Sequence, residues 1–403
     1  MLLVIYNPAC GDRSAKEFVD AHVLSVLTDA GRTPDKVVAT DLTIHEGHPA
    51  AIVKDALENA GAEDDVDVIL ASGDGTLNDI VSELSAHPAV GPKSGEHFRL
   101  CLALVPVGTA NAMYSSLFPP ASEDAAKDPT YKLQSVKSLL THGPTVPLTL
   151  AITTFSAAPS ARQPPHASVS CVVTSTALHA AILDTSEALR ASHPGIERFK
   201  LAAQQNAAKW YGAQAKILPA AGRKYVQVYD PAKRAFVRHP ESTKIDPIVD
   251  LTGPFIYFLS AINVDRLEPM FRIAPLAGAR GQTVPSLDVV VIRPMVNHTI
   301  TWDAPETREA FVSSIWKILS TAYQDGKHID LRYNDDGEIV EGGEGDPVVE
   351  YFRCGGWEWL PDDIDPDAHI VCTDGAISRI EPGGRVVSVA ARATSAGGFL
   401  IYA

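Results

Sequence analysis

Long apolar runs are missing from this 403-residue chain. A bilayer-spanning helix needs ~20 consecutive apolar residues, and the longest stretches, such as Leu100 to Val107, stop well short. No membrane-crossing helix is expected. Cysteine is scarce as well: Cys10, Cys101, Cys171, Cys354 and Cys372 are odd in number and widely spaced, with no Cys-x-x-Cys pair. That usage suits a reducing compartment and argues against structural zinc. Positive charge is in deficit, 34 Lys and Arg against 49 Asp and Glu, for a formal net charge of −15. A surface of that sign repels polyanions on average, so nucleic acid is not an expected partner. The basic residues that do gather, Arg223, Lys224, Lys233, Arg234 and Arg238, read as a solvated hairpin, with a membrane-facing patch as the alternative. There is no basic leader either. Met1 to Tyr6 runs straight into Asn7-Pro8 without a cleavage-site pattern, and is expected to be a buried first strand of a cytoplasmic protein.

What is present is an ordinary globular composition, 45% hydrophobic and 21% charged. The length exceeds what one core usually supports, so two domains are expected. From 1 to about 146, strand, loop and helix alternate, the pattern of a doubly wound, three-layer α/β domain. Leu2 to Tyr6, Lys36 to Thr40, Val66 to Leu70 and Leu100 to Pro106 are the expected strands. Helical stripes follow them, Phe18-Val19-His22-Val23-Val26-Leu27 among them. From 147 to 403 the texture turns to period-two runs, at Pro147 to Thr154, Ser168 to Thr174 and Leu287 to Ile292. These predict a β-rich, sandwich-like domain of antiparallel strands whose last segment returns toward the first domain's site. Ser156 to Ala167 reads as a loop between paired strands, and Thr307 to Tyr323 as one helix.

In an open α/β sheet, ligands bind beyond the carboxyl ends of the strands, where loops lead into helix N-termini. Three of the four loops here carry phosphate-type chemistry: Asn7-Pro8-Ala9-Cys10-Gly11, Ser72-Gly73-Asp74-Gly75-Thr76, and Val107-Gly108-Thr109-Ala110-Asn111. Gly73 and Gly75 let the backbone approach an anion with no Cβ in the way. An acid between them would repel phosphate unless it binds a cation or takes a proton from an incoming hydroxyl. Phosphoryl transfer needs both services, which makes Asp74 the candidate base or magnesium ligand. Alone, Gly-Asp-Gly is a common turn signal; the sister loops at matching strand ends favour the functional reading. His45-Glu46-Gly47-His48 lacks the zinc-helix spacing and reads as a polar loop, and neither a Gly-x-Ser-x-Gly elbow nor a Walker lysine occurs.

These same residues resemble the diacylglycerol kinase catalytic-domain superfamily. Ser72-Gly73-Asp74-Gly75-Thr76, continuing Leu77-Asn78-Asp79, is similar to its Gly-Gly-Asp-Gly-Thr signature, with Ser72 as in sphingosine kinases. Pro106-Val107-Gly108-Thr109-Ala110-Asn111-Ala112 resembles Pro-x-Gly-[Ser/Thr]-x-Asn, and its Asn-Ala ending leans toward the sphingosine branch; Asn7-Pro8 and Gly11 match Asn-Pro-x-x-Gly. Thr40 and His48 stand where the family has a nucleotide-contacting Thr and a following His. Further on, Ser186-Glu187 with Arg190, and Arg198-Phe199, resemble a stretch whose arginines lie near the phosphates; on this sequence alone both arginines are equally surface helix charges. Asp374-Gly375-Ala376 is similar to a C-terminal Asp-Gly-Glu whose acids approach the nucleotide. NAD kinases share the Gly-Asp-Gly loop but not the later motifs.

The resemblance implies an ATP- and magnesium-dependent lipid kinase with a peripheral membrane contact. Asp74 would be the base or metal ligand. The nucleotide-binding set would be Asn7, Gly11, Thr40, Ser72, Gly73, Gly75, Thr76, Asp79, Gly108, Thr109, Asn111, Arg190, Arg198 and Asp374. Two positions depart from the pattern: Ala181 stands where sphingosine kinases place a head-group acid, leaving Asp184 as the nearby substitute, and Ala376 replaces the terminal Glu. The alternative reading is a non-catalytic, lipid- or nucleotide-binding relative.

Overall fold

The computed structural model describes the chain except residues 45–46, 62–65, 91–97, 194–196, 279–283 and 393–397. His45 and Glu46 of the polar loop therefore lie outside the described residues. The first four strands are β1 Leu2–Tyr6, β2 Lys36–Ala39, β3 Asp67–Ser72 and β4 Arg99–Pro106. They pair in parallel in the order β2-β1-β3-β4. β3 and β4 are apolar and buried almost throughout because helices cover both faces of the sheet. The first helical segment, 15–29, contains a π turn at Val19–Val23, and Phe18, Val19, Val23 and Leu27 fill its buried side. Pro49–Asn59 and Asp74–Ala86 follow as longer helices.

Two strands extend this sheet. β5, Thr145–Pro147, forms the edge, and the C-terminal strand Gly398–Tyr402 slots between β4 and β5, parallel to β4. The chain thus leaves the first unit, builds the second, and returns to complete the sheet it began.

The second unit packs an eight-stranded sheet against a six-stranded one, the antiparallel sandwich-like region expected from the period-two texture. β6, Thr149–Ser156, alternates as the sequence suggests, and pairs with β7, His166–Ser170, across residues 157–165. The basic run folds as an antiparallel hairpin of Gln227–Asp230 with Ala235–Arg238. Trp357 and Trp359 meet Phe255 and Phe258 inside, at ring-centroid distances of 4.8 to 5.2 Å. Each such ring, fully buried, contributes about 1.5–3 kcal/mol through removal of apolar area from water.

Three expectations need correction. Ser168 to Thr174 is not one strand: β7 ends at Ser170, and β8, Val173–Thr176, belongs to the other sheet. The break falls at Cys171 and Val172 because their N–H groups turn away to a carboxylate described below. Leu287–Ile292 is buried at every position instead of alternating, since it is central in its sheet and covered on both sides. The helix expected from Thr307 begins two residues earlier, at Pro305, which suits a first-turn position lacking an N–H partner, and ends at Ala322.

Candidate active site

Parallel pairing carries the carboxyl ends of β1, β2, β3 and β4 to one edge, and the loops that follow them interlock there. Asn7 Nδ2 donates to Thr76 Oγ1 at 2.9 Å, and Val107 N donates to Ser72 O at 3.2 Å. Gly11 has φ +53°, and a Cβ there would lie 2.2 Å from Val107 O. Gly73 and Gly108 meet backbone to backbone: a Cβ on Gly108 would fall 2.4 Å from Gly73 Cα. Asn111 adopts the left-handed conformation and folds onto its own loop, accepting from Gly108 N at 3.0 Å and donating to Gly108 O at 2.9 Å. Thr109 is exposed beside it.

Gly73 caps the Asp74–Ala86 helix with no side-chain acceptor, and the N–H groups of the first turn have no intrahelical partners. A Cβ built on Gly75 meets nothing within 4 Å. Its φ is not in the left-handed region either. Neither packing nor backbone strain therefore requires this glycine, which leaves the backbone open to close approach from outside. Thr40 sits on the neighbouring loop, nearly buried, with its Oγ1 lacking a hydrogen-bond partner. His48 accepts from Ala50 N at the start of the Pro49 helix, and its charge would favour ionised Asp79. Burial outweighs that and raises the Asp79 carboxyl above the usual range.

Asp74 is the first residue of its helix and only partly exposed. Its Oδ2 accepts from Ala112 N at 2.7 Å and its Oδ1 from Met113 N at 3.1 Å. Loss of hydration raises its pKa, opposed by those two N–H groups. Each oxygen retains one acceptor position. A small pocket beside the carboxylate is lined by Ser72, Gly73, Asp74, Asn111 and Tyr114 with apolar neighbours.

Asp374 comes to the same place from the far end of the chain. Three backbone donors hold it, the N–H groups of Cys171, Val172 and Val173, at 2.6 to 3.0 Å. Burial, with Asp74 as a further like charge, pushes its pKa up to about 6 against the restraint of those donors. The expected arginines stand in other company. Arg190 is exposed and paired with Glu187 at 3.0 Å, and Arg198 lies 4.5 Å from the ring centroid of Phe199. Asp184 is committed to Arg379 at 2.9 Å. Sequence reasoning gave no role to Asn78 or to the 171–173 amides. The position of Asn78, four residues beyond Asp74 and so on the same helix face, was the available signal.

Among the described residues no group of three or more His, Cys, Asp or Glu side chains forms a metal cage. Magnesium is commonly held by one or two carboxylates together with substrate phosphates. Asp74, with acceptor positions left over beside an open glycine cradle, fits that mode.

An open α/β sheet binds ligands at a loop cluster of this kind, and a kinase-family domain matches the part of the chain that builds it. Residues 1–139 match the diacylglycerol kinase catalytic domain. Among solved structures, a candidate diacylglycerol kinase from Bacillus anthracis str. Sterne shares the fold at 13% identity and TM-score 0.54, covering 100% of this chain and 95% of its own. A second such structure from the same organism aligns at 13% identity and TM-score 0.52, covering 100% and 97%. Yeast NADH kinase, complexed with NADH, aligns at 7% identity and TM-score 0.39 over 99% and 82%, too distant to bear on the argument. No curated protein matches the chain.

Proposed function

We propose that the protein is a lipid kinase that transfers the γ-phosphoryl group of ATP to a lipid hydroxyl, with magnesium. The observation that carries this reading is Gly75, open to solvent at a helix N-terminus beside a carboxylate with acceptor positions left over. The first-turn N–H groups and Thr76 would cradle phosphates, with Asn7 fixing the Thr76 hydroxyl. Asn111 and Thr109 would shape the opposite wall. Magnesium, when bound, offsets phosphate charge. Asp74 orients the attacking hydroxyl and accepts its proton, a task suited to a carboxyl whose pKa stands above the usual range.

Ala181 is buried and carries no charge for a protonated amine, and Asp184 is already paired with Arg379. An unpaired ammonium in a lipid pocket costs several kcal/mol. The acceptor we favour therefore has an uncharged head, of the diacylglycerol or N-acylated sphingoid kind, reached by peripheral contact with a bilayer. No helix among the described residues is long and apolar enough to cross one.

The test is transfer of radiolabelled phosphate from ATP to a panel of diacylglycerol, monoacylglycerol, ceramide and sphingoid bases, with Asp74→Asn as control. Turnover on a neutral acceptor, falling ~10²-fold or more in the variant, is expected. Equal turnover in a folded variant would remove Asp74 from the mechanism. The second reading is a non-catalytic relative, favoured by Ala376 standing exposed where the resembled family carries a second acid. ATP binding without transfer to any acceptor would select it.

A further inference from the structure

We propose that Asn78 and Asp374 form an interdomain latch that holds the Asp74 helix against the second domain, and that Asp374 acts through Asn78 instead of touching nucleotide or metal. The turnover arm of the test rests on the kinase reading; the latch itself does not.

A carboxylate offers about four acceptor positions. At Asp374, Oδ1 takes Val172 N at 3.0 Å and Val173 N at 2.6 Å, and Oδ2 takes Cys171 N at 2.7 Å. The fourth is filled by Asn78. With its amide oriented to satisfy both neighbours, Asn78 Nδ2 donates to Asp374 Oδ2 at 3.0 Å and to Val169 O at 3.1 Å. A cation or a ribose hydroxyl could reach Asp374 only by displacing one of these donors. Asp74 differs, since its two oxygens hold one donor each.

Connectivity supplies the second half. Asp374 has φ +49° and is followed by Gly375 at φ +93°, so the carboxylate is presented by a tight turn between the strands Ile370–Thr373 and Ala376–Arg379. Its own N–H donates to Val173 O at 2.9 Å, fixing that turn to β8. Asn78 and Asp74 are one helical turn apart, on one face. The first grips the second domain and the second grips the Ala112–Leu117 helix of its own domain. An amide suits the joint because its two N–H groups serve a carboxylate and a carbonyl together. Aspartate could serve neither.

The test uses the full chain carrying Asn78→Asp, Asn78→Ala, Asp374→Asn, or the exchange pair N78D/D374N, which restores a donor facing an acceptor. Three quantities are read: affinity for a non-hydrolysable ATP analogue with magnesium by calorimetry, turnover, and hydrogen exchange at the 171–173 amides. For each single variant the latch predicts analogue affinity within about twofold of the parent, kcat lower by about tenfold or more, and faster exchange at 171–173. The exchange pair is expected to regain at least about threefold of the lost turnover and part of the protection. Analogue affinity falling about tenfold in Asp374→Asn would overturn the idea, by placing that carboxylate on the nucleotide or metal. Parent-like exchange at 171–173 in Asn78→Ala would overturn it as well. If the parent shows no turnover, the kinase reading fails, while exchange and affinity still decide the latch.

Discussion

Four glycines stand at the carboxyl edge of the parallel sheet, and an added Cβ tells them apart. At Gly108 it would collide with Gly73 Cα at 2.4 Å, at Gly73 it would press Gly108 Cα at 3.1 Å, and at Gly11 it would strike Val107 O at 2.2 Å. At Gly75 it meets nothing. Gly108→Ala should therefore force the loops apart and destabilise the fold by about 1–3 kcal/mol, the scale of overpacking a close contact. Gly75→Ala should leave stability unchanged or higher by up to ~1 kcal/mol, since alanine is the better helix former. Gly75→Val should also fold, yet lose ATP affinity. Thermal melts and calorimetry on the three variants check this. A parent-like ATP affinity in Gly75→Val would show that the loop does not cradle the nucleotide. At this scale the sequence was most readable, because a glycine or an acid at a strand end has few uses. Arg190 and Arg198 were harder. A charge on a helix looks the same in sequence whether it faces phosphate or solvent, and Arg190 faces solvent and Glu187.

At the scale of elements, strands covered on both faces announced themselves as apolar runs, and β1 to β4 lie close to the expected positions. Ser168 to Thr174 misled because alternation describes side chains, whereas the break at Cys171 arises from backbone N–H groups claimed by an acid some 200 residues away in the chain. The C-terminal strand was legible only as a returning segment. Gly398 to Tyr402 is a short apolar run like many others, and nothing local marks β4 as its partner. The structure makes it central: Tyr402 OH donates to Asp67 Oδ1 at 2.9 Å, Ser135 Oγ to Tyr402 O at 2.6 Å, and Ser138 Oγ to Ala403 O at 3.1 Å. Deleting residues 398–403 would bare the β4 edge and empty the places that Phe399 and Ile401 fill in the core. Losing two buried side chains alone costs about 4–10 kcal/mol, comparable to a whole domain's stability. The truncated chain is expected to lose cooperative unfolding of its N-terminal unit. A parent-like melting transition would mean that the strand is an accessory to the sheet.

For the molecule as a whole, one contribution to acid stability comes from His328. His328 is wholly buried, and its Nε2 lies 3.0 Å from Ile273 O. A carbonyl only accepts, so Nε2 carries the proton and Nδ1 is the unprotonated nitrogen, enclosed without a partner. A second proton would place a charge in the core, and burial pulls the pKa from 6.5 down to about 4 against the restraint of the Ile273 and Gly326 carbonyls. The unfolded chain takes up a proton near pH 6.5, the folded one only near 4. Stability from this group is thus complete above about pH 6.5 and is lost as pH falls toward 4, by on the order of 3 kcal/mol. His328→Gln keeps a donor for Ile273 O and removes the titration. Denaturant melts of parent and variant should therefore differ by a constant above pH 6.5, and below it the parent should lose ground steadily down to pH 4. A difference independent of pH across that window would mean that water or a shifted neighbour already receives the second proton, and that acid unfolding of this protein begins elsewhere.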